Sequence, residues 1–163
     1  MATVPMKLAH TVDEARFWIW VEKGETCWEW QGADGGAGYG RWHVGGRTIG
    51  AHRAAWAIAN GRDIPPGMYV DHMCHNTMCV NPDHLRLATP KQNAENYLPV
   101  RAASGYRGVY KQGDRWYVRV KHNRRTHSRG GFDTAEEANR AAIALRNELY
   151  THNILDRVAS DDV

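Results

Sequence analysis

The chain has no long hydrophobic run: none of its 163 residues sits in a continuous apolar segment long enough to span a bilayer. Its start, "MATVPMKLAHTVDEARF", also lacks the apolar stretch of a secretory signal. These absences predict a soluble intracellular protein with no membrane partner. Cysteine is scarce, with three in all, and an odd number in a reducing compartment excludes a disulfide framework. Metal ligation and plain buried thiols are the options left. No long-period internal repeat is present, which excludes a solenoid. Acidic residues are almost missing from 101–129, where Asp114 alone stands among Arg101, Arg107, Lys111, Arg115, Arg119, Lys121, Arg124, Arg125 and Arg129. The net charge of +3 is modest, so this local concentration, rather than the total, predicts a surface for a polyanion.

A chain of 163 residues makes one ordinary domain or two small ones. Small domains bury too little apolar surface to be comfortably stable, so a metal staple is expected.

The pattern predicts the following elements. "DEARFWIWVEKG" is an amphipathic helix ended by Gly24, followed by the aromatic strand "CWEWQG". "YGRWHVGGRTIG" is a hairpin about Gly45 and Gly46, and "AHRAAWAIANG" is a helix closed by Gly61. A Pro-Pro turn leads into the strand "MYVDH". Next come a loop rich in Cys and His, the strand "LRLA", and the helix "TPKQNAENY" with start signals at Thr89, Pro90 and Gln92. "LPVRAASG" is a linker. Three strands follow from Tyr106 with Gly-Asp and Asn-Arg turns. A helix then starts with Asp133 and Glu136 in capping-box spacing, its inner stripe Ala138, Ala142, Leu145 and Leu149.

The stretch "DHMCHNTMCVNPDHL" concentrates the chemistry. Asp71 and His72 end one strand, and Asn93 lies one turn into the helix that follows, so a strand-loop-strand-helix unit can bring all three to one point. Phosphodiester hydrolysis needs a base that polarises water and a divalent cation that stabilises charge on the phosphate and leaving oxygen. His72 has a suitable pKa for the base. Asp71 and Asn93 offer the hard oxygens that Mg2+ or Mn2+ prefers. Asn96 is the alternative to Asn93, and His75 and Asn76 are expected to be solvated. His52 and Arg53, on the preceding helix, either touch phosphate or support the fold.

"CWEWQG", "GYGRWHVGG", "AHRAAW", "DHMC", "CVNPDHLRLAT" and "QNAEN" together resemble the HNH endonucleases of the ββα-metal superfamily, in particular small phage and homing-type members, from Thr26 to Asn96. The resemblance implies that His72 is the general base, that Asp71 and Asn93 hold the catalytic cation, and that His84 takes the middle position of the motif. Many relatives have Asn there to brace the loop.

Cys74 and Cys79 flank "HNTM" at a spacing compatible with two ligands of a tetrahedral zinc. In the resembling family a Cys just before the Trp-x-Trp pattern accompanies this pair, which implies Cys27 as the third ligand. His84 is the nearest imidazole for the fourth place, and His75 and His43 are the alternatives if His84 braces the catalytic loop instead.

In "RWYVRVK" Arg115, Tyr117, Arg119 and Lys121 alternate with Trp116, Val118 and Val120, the pattern of a strand with one cationic and one apolar face. Ser104 to Tyr150 resembles the Apetala/ethylene-response-factor DNA-binding domain through "SGYRGVY", "RWYVRV" and "GGFDTAEEANRA". That resemblance implies DNA contacts by Arg107, Arg115, Tyr117, Arg119 and Lys121.

The expected fold class is α+β: a small ββα-metal nuclease domain at 1–100, then a three-stranded antiparallel sheet packed on one helix at 104–150, with a flexible tail at 151–163. The expected function is metal-dependent cleavage or nicking of double-stranded DNA by a monomer or weak dimer in the cytoplasm of a phage-infected or bacterial host. The rivals are a non-catalytic DNA-binding regulator with a zinc-stapled scaffold, and a nuclease acting on RNA.

Overall fold

The structure, a computed structural model, describes residues 13–36, 38–97 and 103–161. Most of the expected linker, at 98–102, lies outside these residues. The chain divides into two compact units, Met1–Pro90 and Lys91–Val163. Among the described residues no helix is long and apolar enough to cross a membrane.

The first unit is built of hairpins and two helices. Helix α1 covers Glu14–Trp18, with the Asp13 carboxylate accepting from Arg16 N at 3.1 Å as its N-cap. The expected helix through Gly24 stops there. Val21–Lys23 instead forms strand β1, pairing antiparallel with β2, Trp28–Trp30. The reason is apolar content: Phe17 packs into the core, while Ile19 and Trp20 remain exposed, so further helical turns would bury little. Strands β3, Arg41–Val44, and β4, Arg47–Gly50, form the expected hairpin, with Gly45 and Gly46 at positive φ. Helix α2, Ala51–Asn60, ends at Gly61 in the left-handed region. Strand β5, Tyr69–His72, pairs with β6, Leu85–Ala88, and a 3-10 turn at Pro82–His84 precedes β6.

The core of this unit is aromatic. Phe17 stacks on Trp30 at 5.1 Å between ring centroids, and Trp42 meets both rings edge-on. Ala51, Ala54 and Ala55 present small side chains to these rings, so α2 lies close. Gly40 is needed for the same closeness: a Cβ there would come within 2.5 Å of the Trp30 ring.

In the second unit, helix α3 runs Pro90–Asn96. Strands β7, Val109–Gln112, β8, Arg115–His122, and β9, Arg125–Phe132, form an antiparallel sheet in the order β7-β8-β9. Helix α4, Ala135–Leu149, packs on it through Ala138, Ala142 and Leu145 against Val109, Val118 and Val120. Its cap falls one residue later than expected. The Thr134 hydroxyl accepts from Glu137 N at 3.1 Å, and the Glu137 carboxylate accepts from Asp133 N at 3.2 Å.

Two differences from the sequence expectation concern boundaries. The units part at Pro90 and Lys91, so α3 goes with the sheet rather than with the hairpins that precede it. Glu95 gives the reason: its carboxylate accepts from Thr151 N at 2.9 Å, and the Ala94 and Glu95 carbonyls accept from the Arg107 guanidinium. The tail expected to be flexible carries helix α5, Ile154–Asp161. Arg146, only 3% exposed, donates from Nε and a terminal nitrogen to the two oxygens of Asp156 at 2.6 and 2.8 Å, anchoring that helix.

Candidate active site and metal-binding cluster

Cys27, Cys74, Cys79 and His84 converge, their ligand atoms all within 4.8 Å of one another. Local ties of the backbone bring them together. Asn81 caps the turn that presents His84, accepting from Asp83 N, and its amide donates to Thr26 O at 2.7 Å, next to Cys27. The loop at 78–80 is tied to β2 by Trp30 N to Met78 O and Val80 N to Trp28 O. His84 Nδ1 lies 3.6 Å from Cys27 Sγ and 3.5 Å from Cys79 Sγ. The His84 side chain is thus directed at the thiols, and the loop is braced by the backbone, with the His84 carbonyl accepting from Met73 N at 2.9 Å.

Three sulfurs and an imidazole nitrogen form the donor set of a closed structural zinc site, and the cluster is consistent with one. Burial pushes the Cys79 thiol up to about 12 and also raises that of Cys74. A bound divalent cation would offset this cost of forming thiolates. The alternatives for the fourth place do not converge: His43 lies 3.3 Å from Thr48 Oγ1, and His75 lies outside the cluster, within the electrostatic reach of Asp71.

Asp71 and His72 end β5, both 6% exposed. Asp71 stands opposite Arg86 across the hairpin, and its Oδ2 accepts from Arg86 Nε at 2.9 Å with a terminal nitrogen at 2.8 Å. His72 Nε2 lies 3.1 Å from the Cys79 carbonyl oxygen. A carbonyl can only accept, so Nε2 carries the hydrogen and Nδ1 keeps the lone pair. Burial lowers the His72 pKa, against the opposing pull of that hydrogen bond and of Asp71. The imidazole is therefore neutral at neutral pH.

His52, on α2, has its ring 4.7 Å from that of His72, and Tyr39 lies 5.6 and 5.9 Å from the two. Gly50 makes room for it, since a Cβ there would meet the His52 ring at 2.7 Å. Burial, then the charges of His72, Arg53 and Arg41, push His52 down to about 3. Sequence spacing left its role open; the contact with His72 joins two segments far apart in the chain, which no local pattern reveals.

His75, expected to be solvated, is half-buried at φ 58, with Nε2 out of solvent and its pKa lowered by burial. A positive φ in a non-glycine residue is costly and often marks functional loops. Asn76 is also held, its amide donating to the Glu29 carboxylate. Asn93 and Asn96 both lie on α3 in the second unit; Asn96 is buried and Asn93 half-buried. Among the described residues the Cys-His cluster is the one group of three or more such ligand side chains brought within reach of a single ion.

In the second unit Arg115, Arg119 and Lys121 are exposed on one side of β8, while Val118 and Val120 are buried on the other. Arg119 lies over the Tyr110 ring at 4.9 Å, and Tyr110 stacks with Tyr117 at 5.8 Å. Arg115 is paired with Asp133. Arg107 does not belong to this face: its guanidinium is occupied by the carbonyls that end α3, and burial lowers its pKa.

A family model described as HNH endonuclease matches residues 50–95. The chain is 42% identical over 74 residues to protein 7.7 of Escherichia phage T7, covering 45% of this chain and 56% of that protein. It is 33% identical over 100 residues to an uncharacterized HNH endonuclease of Acanthamoeba polyphaga mimivirus, covering 61% and 52%. With protein 3.8 of Escherichia phage T7 it shares 35% identity over 88 residues, 52% of this chain and 72% of that protein. The chain thus spans little more than half the length of the first two of these relatives. No solved structure matches it. The chain belongs to the family that includes T7 protein 3.8, and its residues 50–95 match the HNH endonuclease model.

Proposed function

We propose that this chain is a metal-dependent DNA endonuclease that hydrolyses a phosphodiester with His72 as general base. The observation that carries this reading is the Cys79 carbonyl on His72 Nε2, which leaves Nδ1 as the proton acceptor within an HNH domain. Water gives a proton to Nδ1 and its oxygen attacks the phosphorus. The bond to the leaving oxygen breaks and that oxygen takes a proton from a second water, producing a phosphate end and a hydroxyl end. A divalent cation, Mg2+ or Mn2+, with Asp71 among its ligands would stabilise charge on the phosphate and the leaving oxygen. Arg86 holds Asp71 in place at the strand end.

Cys27, Cys74, Cys79 and His84 would hold a structural zinc, which would keep the loop carrying the Cys79 carbonyl in register. The sheet face of Arg115, Tyr117, Arg119 and Lys121 binds double-stranded DNA in the manner of the Apetala-like domain, with exposed cations on phosphates or guanine edges. With one catalytic centre per chain, a monomer nicks one strand, and a double-strand break needs two events or a weak dimer.

One observation favours the second reading, a DNA-binding scaffold without catalysis. Asp71 is paired with Arg86, and His72 is 6% exposed, as in a structural polar network. Plasmid relaxation with Mg2+ and with EDTA separates the two. Cation-dependent nicking lost in His72→Ala supports the nuclease, whereas DNA binding with no nicking under any divalent cation overturns it.

A further inference from the structure

We propose that the second unit holds a nucleic-acid backbone phosphate in a hollow at the end of its sheet, gripped by Lys91, Lys121 and Arg124. The inference rests on the reading that this unit binds DNA, and extends the strand face already described, with which it shares Lys121, to a subsite at the end of the sheet. The hollow has a volume of about 390 Å3 and is lined by Lys91, Glu95, Lys121, His122, Arg124 and Tyr150, together with Ala94 and Asn123. That size admits a phosphate with part of its sugar.

The charge balance within it is uneven. Glu95 is the one acid in the lining, and it is already engaged: Oε2 accepts from Thr151 N at 2.9 Å and from its hydroxyl at 3.2 Å, and Oε1 lies 3.3 Å from Lys91 Nζ. Burial alone would raise the Glu95 pKa, but these partners hold it below the usual carboxylate range. Its charge is thus matched by Lys91. Lys121 and Arg124 are exposed, and neither has an ion-pair partner among the described residues. Two cations are therefore left for an anion.

The walls are fixed before any ligand arrives. Tyr150 donates its hydroxyl to the Lys121 carbonyl at 3.0 Å, tying the end of α4 to the β8–β9 hairpin. The His122 ring lies 5.9 Å from that of Tyr150. Lys91 Nζ is 2.9 Å from His122 Nε2; an ammonium only donates, so Nε2 accepts, and the third Lys91 hydrogen is free to point into the hollow. Lys121 also belongs to the exposed face of β8 with Arg119, so the hollow continues the cationic track along that strand.

The hairpin turn adds a separate sign. Asn123 and Arg124 both sit at positive φ, 49 and 63. A two-residue turn of this form favours glycine at its second position, and an arginine there is strained. Glycine would suit the turn better, so replacing Arg124 by glycine removes the guanidinium without a cost to the hairpin.

Arg124→Gly is therefore the informative variant, since it removes the cation and suits the turn. Binding of a fluorescent duplex by the full chain would be titrated against salt, without Mg2+ to prevent cleavage, for wild type, Arg124→Gly and Arg119→Gln. Arg124→Gly is expected to keep or raise the melting temperature while lowering the log–log salt slope by roughly 0.9, as one phosphate fewer is neutralised. Lys121→Gln serves as a second variant that leaves the turn untouched and is expected to lower the slope similarly. Because Lys121 also lies on the strand face, Arg124→Gly decides: an unchanged slope in Arg124→Gly, with a reduced one in Lys121→Gln or Arg119→Gln, overturns the hollow and leaves the DNA reading standing. No duplex binding by wild type overturns both. Thymidine monophosphate is the control for the other source of phosphate: saturable binding of it at Arg124 with duplex affinity untouched by Arg124→Gly would assign the hollow to free nucleotides and overturn the backbone assignment.

Discussion

Cys79 joins the two candidate centres of the first unit, because its carbonyl accepts from His72 Nε2 at 3.1 Å while its thiol lies 3.5 Å from His84 Nδ1. One residue therefore orients the proposed base through its backbone and belongs to the metal-ligand cluster through its side chain. A displaced loop would lose both, so zinc loss should silence catalysis even though zinc does no chemistry.

His72→Ala should reduce nicking by about a hundred to ten thousand fold while leaving duplex affinity nearly intact, as expected on losing a general base. Because burial lowers the His72 pKa, the neutral form persists below pH 6.5. The acid limb of kcat/KM against pH should thus have its midpoint below that value in wild type. Unchanged nicking by the alanine variant would remove the assignment.

Zinc should be found at about one equivalent per chain after purification without added metal, and should survive mild EDTA treatment that strips a catalytic cation. Its removal should unfold the first unit, since structural zinc contributes on the order of 10 kcal/mol in small domains. The raised thiols of Cys74 and Cys79 mean that re-binding must release at least two protons. Calorimetry in buffers of different ionisation enthalpy counts them, and proton release near zero would count against thiolate ligation.

Stability of the first unit should fall in acid because of His52. Its folded pKa of about 3 lies under its unfolded value of 6.5, so between these pH values the unfolded state binds the extra proton. The sign is a loss of stability as pH falls through 6.5, continuing to about 3, at close to 1.4 kcal/mol per pH unit once the unfolded histidine is charged. In His52→Gln, denaturant titrations from pH 6 to pH 4 should show a slope shallower by about that amount. Equal slopes would mean that His52 is solvated.

Replacing Arg115, Arg119 and Lys121 together should flatten the salt dependence of duplex binding, by roughly 0.9 in log–log slope for each phosphate no longer neutralised. Arg115 is already paired with Asp133, so the total should be nearer two phosphates than three. If the slope of the triple variant matches wild type, this face meets solvent and not DNA.

Asp156→Ala should destabilise the second unit by about 3–5 kcal/mol, because it leaves the buried Arg146 charge uncompensated. Replacing both residues by apolar ones should cost far less. Chemical denaturation of the single and double variants separates a needed ion pair from a merely tolerated one; similar losses in both would point to packing of α5 instead.

Much was legible in the sequence alone because it rests on short-range physics. The Gly45-Gly46 hairpin, the helix closed by Gly61 and the alternation of Arg115 to Lys121 each follow from turn geometry or strand period within a few residues. So did the density of ligand side chains from Asp71 to His84, which an HNH match at 50–95 accompanies. Tertiary structure decided what depends on distant partners. His84 faces Cys27, more than fifty positions away, because Asn81 ties its turn to Thr26, and spacing could not choose between His84, His75 and His43. Arg107 left the cationic face because the end of α3 offers it two carbonyls, and the tail folded because Arg146 needs Asp156. A side chain's local pattern limits where it can point; which buried charge or open carbonyl it meets there is set only when the chain closes on itself.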